Sequence, residues 1–158
     1  MSTANVSLTQ WRAAVEAAAR EIATYALSLP GAVVQDPVGI ERAVSMIGAH
    51  IPLVGGGAAY DLALVSSPEG CRELACAILY RQGGTVTDAE MADAIGEIVN
   101  MMGGAVKRRL AGHRAELELG LPIFIHGYLQ STDRLAMVAL PTRFGTIDTM
   151  VLIAGPKG

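Results

Sequence analysis

The chain has 158 residues, enough for one domain that buries most of the surface its unfolded form would expose. Hydrophobic residues make up 51% and charged residues 17%, the balance of a well-cored globule and not of a disordered chain. A formal net charge of −3 supplies no general attraction to phosphate backbones or anionic lipid, which sets nucleic acid and membrane surfaces aside as partners.

In chain order, Ser7 and Gln10 have capping-box spacing and open a predicted helix over 8–28. Trp11, Val15, Ala18, Ile22, Tyr25, Ala26 and Leu29 recur on one face of it, so it is expected to lie across a sheet, with Trp11 as a packed anchor. Pro30 and Gly31 end it. Residues 43–60 carry no Asp, Glu, Lys or Arg, and the mean hydropathy of the chain is +0.39. Yet Pro52 and the triplet Gly55, Gly56, Gly57 punctuate that run, which reads as strands over 43–54 and 58–66 joined by a glycine turn, not as a membrane span. The triplet has no following Lys-Ser or Lys-Thr, so a hairpin explains it better than a phosphate loop.

Ser66 and Ser67 precede Pro68 as expected helix caps, and a helix over 68–82 repeats Cys71, Leu74, Ala75, Ile78 and Leu79 before Gly83 and Gly84. Cys71 and Cys76 are five apart, on different sides of this helix, and are expected as buried free thiols. Thr87 and Glu90 form a second capping box for a helix over 87–110, where Asp88 suits the positive end of the helix dipole. The cluster Lys107, Arg108 and Arg109 falls in its last turn and complements the negative end. Extended segments over 116–128, 135–141 and 146–154, with a turn around 143–145, predict an antiparallel meander. The sum is a single α+β domain spanning 1–158, a two-layer arrangement of a mixed or antiparallel β-sheet with long helices packed on one face. No secretory signal is read at the N-terminus, and a cytoplasmic location is expected.

The helix over 87–110 offers the clearest clue to function. At about 100° per residue, with Asp93 at zero, Glu97 falls near +40°, Asn100 near −20° and Gly104 near +20°. The opposite side collects Met91, Ile95, Ile98, Val99, Met102, Val106 and Leu110, an ordinary core stripe. The polar stripe is free to face a partner. Gly96 and Gly104 beside it each cost roughly 1 kcal/mol against Ala, a sensible choice where another surface must come close. The plainer reading is a solvated face with two glycines. Elsewhere His50, His113 and His126 are scattered without metal-ligand spacing, and no covalent nucleophile stands out, so an enzyme built on this chain must act by positioning.

The run Asp93-Ala-Ile-Gly-Glu97-Ile-Val-Asn100-Met-Met-Gly-Gly104 resembles the Asp/Ser-xxx-Glu-xx-Asn signature of the CheC/CheX/FliY chemotaxis phosphatases. The glycine hairpin, the helix after Pro68 and Gly120-Leu121-Pro122 leading into a strand over 123–127 follow the order of a CheX-like domain, so the resemblance covers roughly residues 8–154. It implies hydrolysis of the aspartyl phosphate on a CheY-like receiver in two-component signalling. The resemblance gives Glu97 the role of binding a receiver lysine and Asn100 that of orienting water, with Asp93, Gly96 and Gly104 as partner contacts. No cofactor is expected on this chain, the required Mg²⁺ belonging to the receiver. CheC proteins carry the motif twice. Here the first helix offers Glu16-Ala-Ala-Ala19 and Glu21-Ile-Ala-Thr24, neither ending in asparagine, so a single-motif CheX-like homodimer is implied, with an edge strand of the C-terminal meander as its physical route. The competing expectation is a non-catalytic adaptor that binds a receiver or flagellar-switch protein.

Overall fold

The computed structural model describes residues 6–39, 44–81, 84–111, 116–130, 132–133 and 135–156. Helix α1, Leu8–Tyr25, starts on the reciprocal Ser7/Gln10 capping box. It ends earlier than residue 28, because Leu27 and Leu29 donate back to Ile22 and Ala23 while Ser28 takes a left-handed φ of 52°. Trp11 is 3% exposed and packs against Tyr60 with ring centroids 5.1 Å apart, a core anchor as expected. Tyr25 departs from the expected apolar stripe. It sits in the last turn and is 80% exposed.

Two short strands, β1 (Ala32–Val34) and β2 (Val38–Gly39), follow where the sequence pattern gave none. They are too brief to show a period and form because both pair with a later strand. β3 (Val44–Gly55) and β4 (Ala58–Ser66) make the expected hairpin, with Gly56 and Gly57 at φ of 61° and 79°, the two left-handed positions that a tight two-residue turn demands. Helix α2, Pro68–Ile78, is shorter than 68–82. Leu79 caps it, and Tyr80 at φ 55° turns the chain away. Gln82 and Gly83 lie outside the described residues.

Ser67 caps α2, but Ser66 does not; its hydroxyl donates to the Asp148 carbonyl at 2.7 Å and ties β4 to a later strand. Cys71 is buried, and burial pushes its thiol up to about 11. Cys76 is only half-buried, its thiol donating to the Gly84 carbonyl, so just one of the two cysteines is the enclosed thiol expected.

Helix α3, Asp88–Leu110, takes the Thr87/Glu90 capping box. After it come β5 (Glu118–Leu119), β6 (Ile123–Leu129), β7 (Leu135–Phe144) and β8 (Ile147–Pro156). The single extended stretch expected over 116–128 is broken at residues 120–122. There the Gly120 N–H donates to the Pro52 carbonyl, and a Cβ on Gly120 would stand 2.3 Å from Pro52 Cγ.

The strands form one sheet of order β1-β7-β8-β4-β3-β5, with β2 also on β7 and β6 on β3, every pair antiparallel. The expected three-strand meander is therefore wrong. β7 and β8 do form a hairpin, but β6 pairs with β3 on the far side, because β7 is already flanked by β8 on one side and by β1 and β2 on the other. β8 is interior, and β7 carries β1 and β2 on its outer side, which leaves β6 as the C-terminal strand at a sheet border.

The three helices pack on one face. Alternating residues such as Ile51, Leu62, Leu64, Leu140 and Val151 meet Val15, Ile22, Leu74, Ile95, Ile98 and Met102 in a single core. The other face holds a smaller cluster of Ala63, Val65, Ala139 and Leu152 flanked by Met137 and Met150. Among the described residues no helix is long and apolar enough to cross a membrane.

Candidate functional site

The long helix α3 lies on the sheet beside α1 and packs on both. Its core stripe is as read from the sequence: Met91, Ile95, Ile98, Val99, Met102, Val106 and Leu110 are all buried. With that face committed, the helical period leaves Asp93, Glu97 and Asn100 on the outside, and all three are exposed. None of the three enters an ion pair or side-chain hydrogen bond among the described residues. Glu97 and Asn100, three apart, stand about one turn from each other on a helix whose far side is fixed in the core.

The N-terminal end of α3 is held by charge as well as by its cap. Glu90 returns a side-chain oxygen to the Thr87 N–H at 3.1 Å and pairs with Arg81 from the segment after α2. The guanidinium holds the Glu90 carboxyl down to about 2, so the pair persists through the neutral range.

The three glycines of the helix divide by role. Gly103, which the sequence reading passed over, is the packing glycine. A Cβ there would come within 2.9 Å of Leu119 Cδ2 and 3.2 Å of Ile51 Cγ2. Gly96 faces Pro122 at an ordinary 3.9 Å, and Gly104 would meet only Arg108 Nη1 at 3.7 Å and Leu119 Cδ1 at 4.0 Å. Among the described residues nothing forbids a side chain at Gly96 or Gly104. Their smallness matters only on the outer side, where it lowers the surface around Glu97 and Asn100.

Two neighbours border the stripe. On one side Pro122 lies on Gly96, and the adjacent Leu121 is 81% exposed. On the other, a cleft of about 420 Å³ between α1 and α3 is lined by Asn100, Gly104 and Arg108 of α3 and by Glu21 and Tyr25 of α1. Arg108 reaches across it, its Nη2 donating to Glu21 Oε1 at 3.3 Å. The sequence reading gave Arg108 only a dipole role. The missed signal was its place eleven residues, about three turns, after Glu97 on the same stripe.

Other residues considered from the sequence fall elsewhere. His50 is half-buried on β3 with Nδ1 3.4 Å from Asp61, His126 is exposed on β6, and His113 lies outside the described residues. Among the described residues no group of three His, Cys, Asp or Glu side chains is placed to hold a metal ion.

An antiparallel sheet with helices on one side, the longest displaying its polar stripe outward, is the CheC-like α+β fold. The family model described as Chemotaxis phosphatase CheX matches residues 47–141, and the chain belongs to that family. Three solved structures show how widely the fold is shared. Chemotaxis protein CheX from Vibrio vulnificus is similar with a TM-score of 0.76 and 17% identity, over 92% of this chain and 99% of that one. CheX in the CheX-CheY-BeF3-Mg+2 complex from Borrelia burgdorferi is similar with a TM-score of 0.72 and 13% identity, over 95% and 97%. The middle domain of FliM from H. pylori is more distant, with a TM-score of 0.56 and 15% identity over 96% and 94%. None of the curated proteins compared matches the chain significantly.

Proposed function

We propose that this protein is a phosphatase that hydrolyses the aspartyl phosphate of a CheY-like receiver domain. The observation that carries the reading is the outward pair Glu97 and Asn100, exposed and unengaged among the described residues, on a helix immobilised by its buried face. An acyl phosphate is already activated. Its hydrolysis forms a bond from water oxygen to phosphorus and breaks the bond from phosphorus to the aspartyl oxygen, leaving a carboxylate and inorganic phosphate. What remains for the enzyme is to fix a water in line with the departing carboxylate, a task of positioning worth several kcal/mol. The Asn100 amide suits it, since its oxygen accepts a water proton while its nitrogen donates to a neighbouring oxygen.

Glu97, one turn earlier, supplies an anion for a receiver lysine, and Asp93 extends that acidic end. Gly96 and Gly104 keep the stripe low enough for the receiver to reach Asn100. The magnesium ion is assigned to the receiver, and the Borrelia burgdorferi complex of CheX with CheY, BeF3 and Mg+2 supports a partner of that kind. A homodimer is proposed as well, supported by β6 at the sheet border, where Ile123 and Tyr128 are exposed. A monomer mass by light scattering at micromolar concentration would remove it.

The likeness to the FliM middle domain supports a second reading, a non-catalytic receiver-binding module. The decay of ³²P-labelled phospho-receiver separates the two, using each CheY-like protein of the source organism. Wild type should accelerate decay, and Asn100→Ala should lose about 100-fold of that acceleration while still binding. Binding without acceleration by wild type would establish the adaptor instead.

A further inference from the structure

The polar stripe of α3 carries charge of both signs. Asp93 and Glu97 make its N-terminal part anionic, Asn100 is neutral, and Arg108 lies about 16 Å beyond Glu97 along the axis, at 1.5 Å per residue. The Arg108 side chain turns back toward Asn100: its Nη1 lies 3.7 Å from the position of a Cβ on Gly104, a full turn nearer the amide. Arg108 and Asn100 thus line one cleft, with Tyr25 as its exposed wall.

The contact that holds Arg108 is a loose one. Its hydrogen bond to Glu21 is 3.3 Å, against 2.7 Å for the neighbouring Arg20 to Glu16 pair, and charge-assisted bonds favour the shorter length. Both side chains are well exposed, 66% and 40%, and exposed pairs of this kind contribute little to folding. Such a pair is readily exchanged for another partner.

We infer that Arg108 is a second docking residue of the phosphatase surface, taking a carboxylate of the receiver, with Glu21 as the internal anion it gives up on binding. The inference rests on the receiver-phosphatase reading. A site that holds an aspartyl phosphate and Mg²⁺ must itself be lined by carboxylates, because magnesium takes hard oxygen ligands. A receiver docked with its phosphoryl group at Asn100 therefore brings an anionic rim to this cleft, and Arg108 is the cation facing it. Glu97 and Arg108 then read opposite charges on either side of the reacting group, which fixes the orientation of the receiver along the helix.

The test compares full-length wild type, Arg108→Ala, Arg108→Lys and Glu21→Gln on ³²P-labelled phospho-receiver for kcat and KM. Affinity is read separately by fluorescence anisotropy of dye-labelled receiver, so the docking role is measured even if hydrolysis is absent. Arg108→Ala should raise KM and Kd about five-fold with kcat within two-fold, the scale of one exposed charge pair. Arg108→Lys should recover most of that loss, and Glu21→Gln should lower KM about two-fold by removing the competing anion.

Opposite movement within one ion pair is a result that a merely structural bridge would not give. Unchanged KM and Kd in Arg108→Ala would overturn the inference while leaving the phosphatase reading intact. So would a loss confined to kcat, which would place Arg108 on the reacting phosphoryl group, or a rise of KM in Glu21→Gln. Failure of wild type to accelerate decay, with the Arg108 dependence of Kd retained, would instead overturn the phosphatase reading alone.

Discussion

Helices α1 and α3 lie side by side, both opened by capping boxes and both carrying glutamates on their outer faces, yet only α3 leaves an exposed glutamate and asparagine unengaged among the described residues. On α1, Glu16 is taken by Arg20 at 2.7 Å and Glu21 by Arg108 at 3.3 Å. The position three after Glu16 is Ala19, fully buried, and the one after Glu21 is Thr24, whose hydroxyl is shorter than an amide. On α3, Glu97 has no ion pair among the described residues, and Asn100 follows it at the outer surface. Under the proposed function, what sets α3 apart is a carboxylate left unspent with an amide standing one turn on. Length, capping and amphipathicity, which the two helices share, do not suffice.

The contrast can be broken first at its foundation. Gly103→Val should cost about 2 kcal/mol, because the added methyls meet Leu119 and Ile51 in a filled core, and thermal unfolding would register it. An unchanged Tm would mean that α3 is not held as tightly as the packing around Gly103 indicates.

Next comes the charge comparison. Glu97→Lys should weaken receiver binding about ten-fold by placing like charges together, whereas Glu16→Lys should leave affinity within two-fold. Equal effects of the two substitutions would erase the distinction between free and internally paired glutamates. The smallest effect is at Gly104→Ala, where a Cβ makes only ordinary contacts. The variant should gain roughly 0.5–1 kcal/mol of stability from helix propensity, while its receiver affinity falls if the partner approaches there. A stabilised variant with unaltered binding would take Gly104 out of the docking surface.

Much of α3 was legible from the sequence because its information is local. Thr87 and Glu90 announce its start, the spacing from Met91 to Leu110 fixes the buried face, and the exposure of Asp93, Glu97 and Asn100 follows by rotation. The β3–β4 hairpin was legible for the same reason, since Gly56 and Gly57 specify their own turn. Illegible features depended on contacts between distant segments. β1 and β2 are too short to show a period and exist by pairing with β7, residues 120–122 break an extended run because Pro52 lies beneath Gly120, and β6 joins β3 because that edge is open. Tyr25 read as core by its spacing and is exposed in the cleft beside Asn100.

The sequence by itself determined that Asp93, Glu97 and Asn100 would share one solvent-facing stripe, since capping, turn conformation and helical rotation act within a few residues. The tertiary structure alone decided what surrounds that stripe. It set Pro122 against Gly96, brought Glu21 to Arg108, and made Gly103 rather than Gly104 the glycine that packing requires. Each of these pairs residues far apart in the chain, and such distances are closed only by the shared core and the order of strands beneath it.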